Sequence, residues 1–264
     1  MTMADDPLQP DLMHALRKLV RGLEVLFWAL PAALVVCVAE SVSLEWQSWG
    51  VVPLVLVMGL LWYGASRLKA FQPAESVWQS TVTITELLAL ALVGLAPFLH
   101  WFHHVPEIPV EYLTSGQKHI SYCLVVFCSA TIMFLLNLNH AIARLAAMLP
   151  DPVLRSHTRF LVITNFILFV PLLALMLLPQ FSFAIFDVLV RNAPGLAEAA
   201  VNPFGVEAWL QSAALWLAAL IVATTMAMLW KSKEVVLNGV FSLEPPTVSE
   251  DDAEVDEDFD PSLN

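Results

Sequence analysis

Four of the seven histidines fall in one stretch, at His100, His103, His104 and His119, with Glu107 and Glu111 between them. On a helix, positions i and i+4 share a face. His100 and His104 would then place two imidazoles on one transition metal, with His119 or Glu107 as a third ligand. Pro106 ends a helix close by, and no second i,i+4 pair accompanies the first. The competing chemistry is that of interfacial histidines, whose rings suit headgroup depth. Two stacked haems held by His100, His119, His140 and His157 would need histidines about four turns apart on one helix. His119 and His140, the nearest candidates, are too widely spaced. No cofactor is implied.

A second group is neutral. Asn137, Asn139 and His140 close one apolar run, and Thr158, Thr164 and Asn165 open the next. Antiparallel neighbours would bring them together as interhelical hydrogen bonds, each contributing about 0.6–2 kcal/mol in a bilayer. The sharper alternative is a pocket for a polar, uncharged solute. A third group is basic: Arg67 precedes Pro73 as Arg144 precedes Pro150, so each arginine ends a helix where it complements the dipole and an anionic leaflet. Glu86 is expected to pair with Lys69 or Arg159. Cys37, Cys123 and Cys128 lie in apolar runs without CxxC spacing and read as packing residues. No phosphate-binding loop, GxSxG, HExxH or dinucleotide fingerprint is present.

The elements that must position these groups are membrane helices. The 264 residues are 58% hydrophobic and only 14% charged, with mean hydropathy +0.72, too little charge to cover a water-facing surface. Three cysteines make no disulfide framework, and a net charge of −12 excludes a basic nucleic-acid face. Six stretches free of Asp, Glu, Lys and Arg approach the roughly 20 residues needed to span a bilayer. They are Val25–Ala39, Trp46–Ser66, Leu87–Pro106, Ile120–Ala143, Phe160–Phe186 and Ala208–Trp230. The first is short and bracketed by Glu24 and Glu40, which are expected to snorkel outward.

With six spans, ten of the twelve Lys and Arg fall on one side, leaving only Lys118 and Arg191 on the other. The positive-inside rule therefore puts both termini in the cytoplasm. Trp62, Trp78 and Trp230 then lie near the inner interface, and Trp46, Trp49, Trp101 and Trp209 near the outer one. A cleaved leader is disfavoured because Asp5, Asp6 and Asp11 precede the first apolar run. No Asp, Glu, Lys or Arg falls near the middle of a span, which argues against a proton-coupled transporter.

The expected fold is thus an all-α membrane protein: a cytoplasmic segment 1–21, a six-helix transmembrane domain 22–231, and a cytoplasmic tail 232–264. From Glu244 onward that tail holds nine acidic residues and no basic one, a disordered composition. A shift of 77 residues aligns Arg67–Thr81 with the segment from Arg144 to Thr158 at five identities in 15 positions. It suggests that helices 2–3 and 4–5 repeat one hairpin in parallel. The expected function is a non-enzymatic scaffold or accessory subunit of an inner-membrane complex. Its partners are the lipid bilayer and a protein met through the acidic tail or the arginine-proline loops, with no nucleic acid. Two alternatives stand beside it: a small carrier of a neutral or apolar solute, and a metal- or haem-dependent membrane enzyme built on the outer histidines.

Overall fold

The computed structural model describes residues 8–42, 46, 48–71, 75–102, 105, 113–149, 152–192 and 204–241. Six helices account for nearly all of them: α1 (Leu8–Val42), α2 (Val52–Leu68), α3 (Ser76–Phe102), α4 (Ser115–Met148), α5 (Pro152–Asn192) and α6 (Phe204–Phe241). There is no strand among the described residues. Five of the helices are long and apolar enough to cross a membrane, and α2, with 17 residues, is a shorter apolar helix. The acidic tail from Glu244, and Pro73 and Pro150, lie outside the described residues.

Local sequence sets the helix ends. Pro53 sits in the first turn of α2, where its missing N–H costs nothing, so α2 begins at Val52 and not at Trp46, where the apolar run opens; a turn through Ser48–Gly50 precedes it, with Gly50 at φ 64°. The short element is consequently α2, whereas α1 runs unbroken through Pro31 to Val42. Thr114 caps α4 in a reciprocal box with Gln117, so that helix starts five residues before the expected span. Pro152 opens α5 in the position that prolines favour.

Each helix packs on the next, α1 closes against α6, and α4 also touches α6, which makes a closed bundle. Contacts fix the up-and-down alternation. Lys233 in the last third of α6 meets Glu24 at the middle of α1, and Lys69 just past α2 meets Glu86 in the first half of α3. Asn137 late in α4 meets Thr81 and Thr85 early in α3. One end of the bundle, here called the basic end, therefore gathers Arg17, Lys18, Arg21, Arg67, Lys69, Arg144, Arg155, Arg159, Lys231 and Lys233, whereas Lys118 and Arg191 fall at the other end of their helices.

Buried stripes supply the core. Leu19, Leu23, Leu26, Leu30 and Ala33 recur at three- and four-residue steps along α1, as do Leu54, Met58, Leu61, Ala65 and Leu68 along α2. The opposite faces are also apolar: Val35, Leu56, Leu60, Leu90, Val126, Phe166, Val170, Trp216 and Leu220 are exposed. Such a perimeter is unsuited to water and suited to hydrocarbon. The helices α1 and α2 touch most closely where Gly22 and Gly64 face each other. A Cβ at Gly22 would stand 3.0 Å from the Gly64 carbonyl oxygen, and one at Gly64 would stand 2.8 Å from Leu26 Cγ. Small residues permit this approach, a device common in membrane helix pairs.

Candidate functional site

The strongest electrostatic feature inside the bundle joins α1 to α3 at the end opposite the basic one. Because α1 continues to Val42, Glu40 is still helical and points inward. It does not snorkel: its side chain is fully buried, with Oε1 2.5 Å from Nδ1 of His100, itself only 13% exposed. Removing two polar groups from water is favourable only when each meets a partner, and here imidazole and carboxyl meet directly. Glu40 Oε2 is buried and has no hydrogen-bond partner among the described residues. A buried ionisable pair of this kind, facing the bundle rather than lipid, is where function in a membrane protein is sought first.

His100 therefore turns toward α1. His119 is exposed on α4, with Nε2 3.5 Å from Cys123 Sγ and its ring 6.0 Å edge-on from Phe98. The helix α3 is described as far as Phe102, and His103 and His104, with the i,i+4 pair expected between His100 and His104, lie outside the described residues. Among the described residues, no group of three or more His, Cys, Asp or Glu is placed to hold a metal.

The polar residues toward the basic end divide into two locks. Asn137 uses its amide N–H groups on α3, donating to the Thr81 carbonyl and to Thr85 Oγ1, both at 2.8 Å. Thr81 and Thr85 are one turn apart, and Thr85 in turn donates to the Thr81 carbonyl at 2.9 Å. Two residues further along α4, Asn139 faces another neighbour, α6. Thr225 Oγ1 lies 3.1 Å from its Oδ1 and 3.2 Å from Asn165 Nδ2, while Thr224 hydrogen-bonds Asn165 Oδ1. Asn139, Asn165 and Thr225 are buried, so a single threonine ties α4, α5 and α6 together. Asn139 Nδ2 is left without a partner among the described residues. His140 joins neither lock and is exposed, and Thr158 is buried at the start of α5.

The two arginine loops differ. Arg67 donates to the Tyr63 hydroxyl at 2.8 Å and lies over that ring 4.7 Å from its centre. The following turn is closed by Gln79, whose amide donates to the Lys69 and Phe71 carbonyls, and by Phe71 packing edge-on against the buried Trp78. Trp78 thus belongs to the core and not to an outward-facing belt. Glu86 pairs with Lys69 at 3.4 Å. Arg144, aligned with Arg67 by the 77-residue shift, is exposed, and the second connection is bridged by Arg155 donating to the Ala147 carbonyl at 2.9 Å.

Sequence reasoning missed Glu40 as the partner of His100, and it missed Thr224 and Thr225. The signals were present: a Thr-Thr pair in an otherwise apolar run, and a glutamate one turn beyond Cys37. Comparison with protein-family models, curated proteins and solved structures gives no match.

Proposed function

We propose that the chain is a non-enzymatic scaffold or accessory subunit of a complex in the cytoplasmic membrane, with the basic end in the cytoplasm. The observation that carries this reading is the use of the interior amides and hydroxyls. Asn137 and Thr85 bond α4 to α3, and Asn139, Asn165, Thr224 and Thr225 bond α4, α5 and α6. Groups committed to one another hold helices in register, which is what a scaffold requires of them. The concentration of Lys and Arg at one end supports the orientation. The nine acidic residues from Glu244 onward then face the cytoplasm and suit a basic partner surface.

Affinity purification from native membranes in mild detergent tests the proposal, with the full chain beside one ending at Leu243. A stoichiometric partner retained by the full chain and lost on truncation is the expected result. If both forms emerge alone, the subunit reading fails. The carrier alternative draws on two of the five buried side-chain atoms without a partner among the described residues, Glu40 Oε2 and Asn139 Nδ2, which a neutral solute could engage. Under it, Asn137→Ala with Asn165→Ala would abolish solute movement and not merely loosen the bundle.

A further inference from the structure

The basic end carries a half-open cavity of about 170 Å³ bounded by His14, Arg17, Lys18, Arg21 and Arg67. The spacing 14, 17, 18, 21 places four of these on one stripe of α1, since steps of three and four residues share a helix face. The fifth comes from α2, brought close because Gly22 and Gly64 let the two helices approach. Arg67 is also held in place: its guanidinium bonds the Tyr63 hydroxyl and stacks over the ring. No carboxylate among the described residues pairs with Arg17, Lys18, Arg21 or Arg67, whereas Lys69, Lys231 and Lys233 at the same end all have acidic partners. Like charges gathered around one cavity repel unless an anion sits between them. Arginine forks match phosphate oxygens in pairs, and lysine adds a point charge.

We infer that this cavity between α1 and α2 is a binding site for a phosphate-bearing anion, the headgroup of an acidic phospholipid such as phosphatidylglycerol. Basic pockets between helices at the cytoplasmic face take such headgroups in preference to zwitterionic ones. The wall of the cavity is almost wholly apolar, formed by the aliphatic parts of its lining side chains, and stems of this kind lie along apolar surface while their charged heads reach headgroup depth. The site is separate from the interior locks and stands whether or not the chain is an accessory subunit.

Native mass spectrometry of the full chain in a neutral detergent, titrated with phosphatidylglycerol, phosphatidylcholine or inorganic phosphate, tests the assignment. One equivalent of phosphatidylglycerol should bind more tightly than phosphatidylcholine. Arg17→Gln and Arg21→Gln should each weaken that binding about fivefold, the fold-change expected per basic residue at a membrane surface, and leave phosphatidylcholine unchanged. Both side chains are exposed, so the variants should melt with the parent. Arg159→Gln, exposed at the same end but away from the cavity, should bind phosphatidylglycerol as the parent does. The assignment is overturned if the two lipids bind equally, or if Arg159→Gln weakens binding as much as the cavity variants do. Inorganic phosphate binding alone and displacing the lipid at equal concentration would make the ligand a free anion and overturn the lipid assignment.

Discussion

Glu40 and His100 are the residues on which burial and charge bear most heavily. A carboxyl with no exposure is tolerable only with its imidazole partner, so the cost of breaking the pair is set by what is left behind. His100→Leu strands the carboxyl and should destabilise the bundle by about 3 kcal/mol or more. Adding Glu40→Leu to that variant removes the stranded group, and most of the loss should return. Thermal unfolding in detergent of both single variants and the double variant reads this out; a double variant less stable than His100→Leu would show that the carboxyl does not depend on the imidazole. Neither partner's role was legible from the sequence. Glu40 lies just beyond an apolar run, where a long side chain normally reaches for water, and His100 sits among other histidines at metal-like spacing. What decides the matter is that α1 continues past Ala39, and a continuing helix is a property of packing against α2 and α6, not of residues 40–42 themselves.

At the scale of elements, the apolar runs were readable and their ends were not. The charge-free stretches marked all six helices, but α3, α5 and α6 extend past them through polar residues, because in a bundle neighbouring helices supply partners for those side chains. Gln79, Glu86 and Lys233 are examples. The run opening at Trp46 begins too early for a related reason: Pro53 alone permits either a kink or a helix start, and the turn closed by the Trp49 N–H on the Trp46 carbonyl selects the start. The opposite faces of α4 were legible only in part. Asn137 and Asn139 look like one cluster in sequence, yet two residues turn a helix by about 200°, which sends one to α3 and the other to α6. The closest contact in the bundle gives the sharpest prediction at this scale. Gly22→Ala would press a methyl to 3.0 Å from both the Gly64 carbonyl oxygen and Arg67 Cβ, which are backbone or rooted in it and cannot swing aside. It should lower stability by about 1–3 kcal/mol, while Gly94→Ala, whose added methyl meets nothing within 4 Å, should be neutral or mildly stabilising. Equal melting of the two variants would show that α1 and α2 are not held at this crossing.

On the scale of the whole molecule, the alternation of helices places Arg67, Arg144, the α1–α2 cavity and the end of α6 at one end, and the Glu40–His100 pair at the other. The proposed subunit role and the proposed headgroup site both depend on that basic end facing the cytoplasm, so orientation is the claim on which the rest stands. Cysteine labelling tests it directly. In a chain with Cys37, Cys123 and Cys128 replaced by alanine, Ser115→Cys marks the start of α4 and Ser156→Cys the start of α5, both at exposed positions. A membrane-impermeant maleimide applied to intact cells should label the cysteine at 115, and should reach the one at 156 only after permeabilisation. Labelling at 156 in intact cells, or at 115 only after permeabilisation, would contradict the account.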